Sequence, residues 1–266
     1  MGRGSMSTGL SQTDIEAFYR DGYLAVADFL SAESLERVRR WVCDVERWPG
    51  DADAGWLQHD EQTAAGVRRT RTENFSPFHA ELRDLLTTGA VPAMAGQLLG
   101  EPAVLYKEKI NYKHPGGAGF AAHQDAPAYP HIAVSVSCLL AVDDSTVENG
   151  CLEFVAGMHH DLLANDRDGC IRPDIAETLA WRAHPVRAGS LVWFHSHTPH
   201  RSGANTSTTS RRALYLTYNA ASSGDLHEAY YRHKRVALAG ASGRGGVQRV
   251  SLIGHFRGIA PAEAST

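Results

Sequence analysis

What most limits the fold of this chain is a change of pattern at Pro102. Before it, apolar residues recur at helical spacing. After it come short segments rich in Val, Ile, Tyr, Leu and Phe, separated by clusters of Gly, Pro, Asn and Asp. The first part predicts a helix over 11–19, with Ile15, Phe18 and Tyr19 on one face and Asp21-Gly22 as its stop. A second helix starts at the N-cap Ser31, carries Leu35, Val38, Trp41, Val42 and Val45 as its stripe, and breaks at Trp48-Pro49-Gly50. Two more, 79–88 and 91–99, end at Gly89 and Gly100. The second part predicts strands at 103–113, 119–124, 132–142, 151–155, 184–187, 190–195 and 212–220. Short strands at this spacing make a sandwich or jelly roll, with the earlier helices buttressing one face. Residues 50–71 are polar and aperiodic and read as a long loop, either covering a site or forming plain surface. A last helix, 225–238, precedes a Gly-rich tail.

The 266 residues suffice for one sizeable core, and no linker or repeat divides them. We therefore expect a single domain over 6–266, with a helical buttress about 11–100, a β core about 103–220, and the helix and tail 225–266. Met1-Gly2-Arg3-Gly4-Ser5 reads as a cloning remnant ahead of a natural start at Met6. A formal charge of -4 and a pI near 6.4 provide no basic field, which argues against nucleic acid as a partner. No apolar run is long enough to span a bilayer, so no membrane partner is expected. Cys43, Cys138, Cys151 and Cys170 form no C-x-x-C pair and fit a reducing cytoplasm. No pattern fixes an oligomeric state.

Two histidine-bearing stretches carry the chemistry. In His123-Gln124-Asp125 an imidazole and a carboxylate lie two positions apart, so on an extended segment both project from one face. Alone this pair is a weak signal that needs a third ligand. The stretch His195-Ser196-His197-Thr198-Pro199-His200 follows an apolar strand and offers three candidates. Two histidines and one carboxylate on one side of an ion leave coordination positions open, which suits non-haem Fe(II) chemistry better than a closed structural zinc site. A third pattern lies in the basic residues. Of 26, only four are lysine, and Lys107, Lys109 and Lys113 fall within seven positions. Lys107, Lys109 and Asn111 alternate along one strand, so one register points all three into a cavity. The opposite register leaves them wet and turns Glu108 inward.

From about residue 105 to 219 the chain resembles the phytanoyl-CoA dioxygenase family of Fe(II)/2-oxoglutarate oxygenases. The resemblance rests on Gly116-Gly117 before His123-Gln124-Asp125, then Val147-Glu148-Asn149-Gly150-Cys151-Leu152, Gly157-Met158-His159 and Gly189-Ser190-Leu191-Val192. His195 through His200, Asn205 and Ser210-Arg211 complete it. It implies a double-stranded β-helix (jelly-roll, cupin-like) catalytic core with flanking helices. It also implies that the distal iron ligand precedes a 2-oxoglutarate-binding arginine by eleven positions, which selects His200 and Arg211. His195 then becomes structural, and His197 stays open between solvent, a substrate contact and a satisfied loop residue, the last being favoured. The implied metal set is His123, Asp125 and His200 around Fe(II), with 2-oxoglutarate and O2 as co-substrates. A guanidinium fork suits the distal carboxylate of 2-oxoglutarate, and Arg212, next along the strand, should face the other way.

The segment 106–113, with Gly116 to Phe120 and His123 to Tyr129, is also similar to the subgroup that includes 2-aminoethylphosphonate hydroxylases. That likeness implies a small anionic substrate. One of Lys107 and Lys109 would contact 2-oxoglutarate and the other the substrate, with Asn111, Tyr129, Gln124, Arg69 and Arg71 as further substrate contacts. Hydroxylation is the default outcome, and desaturation or cyclisation would use the same residues. Competing readings are a family member acting on a natural-product intermediate or acyl substrate, a non-catalytic cupin-like metal-binding module, and a zinc hydrolase. Asp125 argues against the halogenases of related fold, which lack the carboxylate ligand.

Overall fold

The computed structural model describes residues 9–50, 54–63, 66–129 and 132–241. The helical first part comprises α1 (Gln12–Asp21), α2 (Ala32–Glu46), α3 (Ala80–Thr87) and α4 (Ala90–Leu99). Ser11 closes a capping box with Asp14, and Gly22 ends α1 in the left-handed region at φ 82°. Between α1 and α2 runs a strand not expected from sequence, β1 (Tyr23–Val26), which pairs with a later strand through Leu24 and Trp193.

The region 50–71 differs from expectation. It holds β2 (Leu57–Thr63) and β3 (Gly66–Glu73), an antiparallel pair at the sheet edge. Its polarity hid it, because the pair is built on charge: Asp60 opposes Arg69 and Glu61 opposes Arg68 across the strands. The β core continues with β4 (Ala103–Lys113), β5 (Phe120–His123), β6 (Ser135–Ala141) and β7 (Leu152–Phe154). A short α5 (Pro173–Ala176) leads to β8 (Arg182–Ala183), then β9 (Leu191–His195), β10 (His200–Ser202) and β11 (Arg211–Ala220). The strand expected at 184–187 is replaced by β8 and a lone bridge between Ser145 and Val186. The last helix, α6, spans His227–Ala241. The expected tail beyond it and residues 1–5 lie outside the described residues.

Seven strands form one antiparallel sheet in the order β1-β9-β6-β11-β4-β3-β2, and four form the other in the order β5-β10-β7-β8. This is the jelly-roll arrangement. Alternation along each strand divides its side chains between two cores. Ile110, Tyr112, Cys138, Leu140, Trp193, Leu214 and Leu216 face the helices, where they meet Val38, Val42, Leu82 and Met94. Leu139, Ala141, Val192, Phe194 and Ala213 face the second sheet, meeting Leu152 and Phe154. Each such aliphatic or aromatic side chain removed from water stabilises the fold by about 1.5–3 kcal/mol. Among the described residues no helix is long and apolar enough to cross a membrane.

One irregularity sets up the site. Opposite β11 the register of β4 slips between Thr217 and Tyr218, which face Lys107 and Leu105 and leave Tyr106 as an extra residue. Leu105 therefore stays in the helix-side core, while Tyr106 joins Ala128, Tyr129 and Ile132 in a small cluster near Tyr230. From Lys107 onward the odd-numbered residues of β4 lie on the inter-sheet face, beside Thr217, Tyr215, Ala213 and Arg211 of β11.

Candidate active site

β5 and β10 are antiparallel neighbours, and His123 pairs directly with His200 in their register. Their rings stand 4.0 Å apart between centroids. Asp125 follows β5 by two residues, and its Oδ1 lies 3.9 Å from His123 Nε2 and 4.0 Å from His200 Nε2. All three ligand atoms lie within 4.8 Å of one another, the one such group among the described residues.

The donor set fits a divalent metal. Each imidazole engages a backbone carbonyl through Nδ1, His123 to Ala121 at 2.7 Å and His200 to Thr198 at 3.0 Å, which fixes the tautomer and presents the Nε2 lone pair to the centre. Burial lowers the pKa of both histidines, so they stay neutral ligands. Burial pushes Asp125 up, but the pull of His200 and His123, exerted only when they are protonated, and of the Lys107 and Lys109 ammonium groups outweighs it and holds the carboxyl well below its usual range. Asp125 Oδ2 accepts a 2.8 Å hydrogen bond from Ser137 Oγ on β6, leaving Oδ1 for the metal. Ser137 carries no motif in the sequence, and only its place across the sheet reveals it.

A cleft of about 430 Å³, its open mouth included, lies against the triad. Lys107, Lys109 and Asn111 all line it, so the inward register holds. Glu108 faces the helices, where it accepts hydrogen bonds from the Ser76 amide at 2.9 Å and pairs with His227 at 2.7 Å. The Lys107 ammonium stands 4.3 Å over the Tyr129 ring, and Lys109 lies 5.2 Å from the Tyr215 ring. Burial lowers both ammonium pKa values, and nearby Arg71 lowers both further while Asp125 opposes the shift. Asp125 is the single acidic side chain in the described lining, against Lys107, Lys109 and Arg201.

The remaining expected contacts divide. Arg71 sits across from Asn111 in the register, donates to its Oδ1 at 3.0 Å, and lies 3.4 Å from Glu73. Glu73 also receives His59 at 3.2 Å and the Lys234 ammonium of α6. Burial raises the Glu73 pKa, yet Lys234, His59 and Arg71 bring it well below normal. Arg69 does not join the lining: its Nε bonds Asp60 at 2.6 Å and Nη1 reaches the Trp48 carbonyl. Gln124 is also withdrawn. The alternation that aligns His123 and Asp125 turns it away, and it braces two loops through Asp161 O, His197 O and Leu163 N. Sequence reasoning missed Tyr230 of α6, whose ring stands 4.9 Å from Tyr106 and whose buried hydroxyl has no hydrogen-bond partner among the described residues.

Arg211 lies on the inward face of β11 and is 1% exposed. Its Nη1 donates to Ser145 Oγ at 3.2 Å, while its buried Nε has no hydrogen-bond partner among the described residues. Arg212 faces the helices and binds Asp143 through both Nε and Nη2 at 2.8 Å. His195 ends β9, and its Nδ1 accepts the His197 amide at 3.1 Å.

The sequence pattern of phytanoyl-CoA dioxygenases matches residues 18–213. The chain belongs to the phytanoyl-CoA dioxygenase family. It is 48% identical to a methylphosphonate hydroxylase of Gimesia maris, over 95% of this chain and 98% of that protein. It is 37% identical to a 2-aminoethylphosphonate dioxygenase of uncultured bacterium HF130_AEPn_1, over 81% of this chain and 84% of that protein. Among solved structures it is similar to SnoK, a non-heme alpha ketoglutarate dependent carbocyclase from nogalamycin biosynthesis. That match has a TM-score of 0.65 and 25% identity, covering 80% of this chain and 85% of the other. EctD from S. alaskensis, solved with 2-oxoglutarate and 5-hydroxyectoine, shares the fold at a TM-score of 0.70 and 21% identity, covering 80% and 77%. With the triad assembled, this family member is an enzyme, an Fe(II)- and 2-oxoglutarate-dependent dioxygenase.

Proposed function

We propose that the chain hydroxylates the carbon bonded to phosphorus in a small alkylphosphonate, methylphosphonate foremost and an aminoalkylphosphonate next. One observation carries the reading: Lys107 and Lys109 face a cleft beside the triad whose described lining holds no acid except Asp125. A compact dianion is the kind of substrate such a cleft binds, and the two phosphonate-oxidising relatives agree with it. In the balanced reaction, alkylphosphonate, 2-oxoglutarate and O2 give hydroxyalkylphosphonate, succinate and CO2.

His123, Asp125 and His200 would hold Fe(II), which when bound supplies the O2 activation that the side chains cannot. Arg211 takes the distal carboxylate of 2-oxoglutarate. Of the two cleft lysines, one meets 2-oxoglutarate and the other, with Asn111 and the adjacent Arg71, the phosphonate. Tyr129 holds the Lys107 ammonium over its ring rather than reaching into the cleft lining. A single catalytic domain carries the activity, and the four free thiols agree with a cytoplasmic setting.

Succinate release, with phosphorus NMR of the products, tests the substrate across methylphosphonate, 2-aminoethylphosphonate, amino acids and acyl thioesters. The expected result is phosphonate-stimulated succinate release matched by an equal amount of hydroxyalkylphosphonate. Stimulation by an amino acid or thioester but by neither phosphonate would discard the substrate assignment and leave the reaction type standing.

A further inference from the structure

Lys113, at the end of β4, pairs with Arg211 of β11 and lies on the same inward face. It is 5% exposed. Its ammonium makes three hydrogen bonds, to Gly203 O at 2.6 Å, Ser202 Oγ at 2.9 Å and Gly150 O at 3.3 Å. All three acceptors are neutral. A buried cation among neutral acceptors is a costly way to fill space that an apolar side chain would fill more cheaply.

The surrounding chain is nonetheless shaped to hold it. Gly150 has φ +74°, and a Cβ there would stand 2.9 Å from the Lys113 ammonium and 2.2 Å from Gly203 O. Asn149 folds the same turn, donating to Asp144 O and accepting the Thr146 amide, both at 2.8 Å. Asn205 donates to Lys113 O at 2.9 Å. The Glu148-Asn149-Gly150 and Asn205 signals of the sequence, which the metal site does not use, thus meet at this lysine.

An ammonium can only donate, so Ser202 Oγ accepts from Lys113 and keeps its own hydrogen for another partner. Ser202 lines the cleft. We propose that Lys113 is a positioning residue for 2-oxoglutarate: it orients the Ser202 hydroxyl as a donor to the distal carboxylate and adds a second positive charge to that of Arg211. The inference rests on the assignment of Arg211 to that carboxylate.

A proton linkage follows. Burial first, and then the charge of Arg211, bring Lys113 down to about 7 against the opposing pull of Cys151 and Glu61, the other titratable neighbours. A carboxylate arriving beside it favours the charged form. Binding at about pH 8 therefore draws a proton onto Lys113, whereas at about pH 6 the proton is already there.

The test is anaerobic calorimetry of 2-oxoglutarate binding to the Fe(II)-loaded protein, at both pH values and in buffers of different ionisation enthalpy. The wild type should take up roughly one proton near pH 8 and almost none near pH 6. Lys113→Met should abolish the uptake and weaken binding about tenfold or more, with iron affinity unchanged. Lys113→Arg should restore affinity without the uptake. Absence of uptake in the wild type, or uptake undiminished in Lys113→Met, overturns the proposal. If Lys113→Met does not fold, the wild-type linkage together with Lys113→Arg decides. An Arg211→Ala variant that binds 2-oxoglutarate normally would instead remove the underlying assignment. Loss in Arg211→Ala without loss in Lys113→Met would remove this inference alone.

Discussion

Asp125→Ala should lower Fe(II) affinity by at least about 100-fold and abolish turnover, because it removes a direct ligand where loss of a ligand's supporting hydrogen bond already costs about 10–100-fold. The carboxylate is the one negative charge that the two imidazoles face, with Oδ1 at 3.9 and 4.0 Å from them. Without it, two neutral nitrogens and two nearby ammonium groups remain, an environment that repels a dication. Ser137→Ala tests the supporting bond. It leaves all three ligands and removes the donor to Oδ2, so its loss of metal affinity or activity should fall in the 10–100-fold range just given. Iron titration under anaerobic conditions, beside a thermal melt, checks both. Equal iron affinity in wild type and Asp125→Ala would remove Asp125 from the ligand set.

Arg211→Ala should weaken 2-oxoglutarate binding by about 30- to 5,000-fold, the equivalent of the roughly 2–5 kcal/mol lost when one partner of a buried charge pair is truncated. Iron binding should stay within about threefold, because Arg211 touches Ser145 and none of the three ligands. Arg212→Ala is the matched control. It breaks a two-pronged pair with Asp143 on the helix side, so it should lower the melting temperature while leaving 2-oxoglutarate affinity unchanged. Burial of only part of that pair keeps its stability cost modest. Anaerobic titration of 2-oxoglutarate against each Fe(II)-loaded variant is the check. A weakened Arg212→Ala with an unaffected Arg211→Ala would mean that the two faces of β11 are assigned the wrong way round.

The parts of the site legible in the sequence are those that depend on strand alternation. The two-residue spacing of His123 and Asp125, and that of Lys107, Lys109 and Asn111, put each set on one face, and the structure places both sets against one cleft. The same rule applied to Gln124 turns it away from its neighbours, so its assignment as a contact ran against the argument that aligned the pair. The β2–β3 hairpin escaped because a polar edge strand shows no apolar period, only opposed charges such as Asp60 and Arg69. That hairpin occupies part of the region read as a covering loop, and it presents Arg71 to Asn111 while leaving Arg69 on Asp60. Ser137 and Tyr230 were invisible for a different reason. One reaches Asp125 from across the sheet and the other comes from a helix more than a hundred residues from β4, so only tertiary packing brings them in.

The most direct test of the account is oxygen-isotope accounting with methylphosphonate, 2-oxoglutarate and labelled O2 on the Fe(II)-loaded protein. The proposed function predicts one labelled oxygen in succinate and one in the hydroxyl of the phosphonate product, in equal yield. Phosphonate product carrying oxygen from water, or formed without matching succinate, would contradict the account.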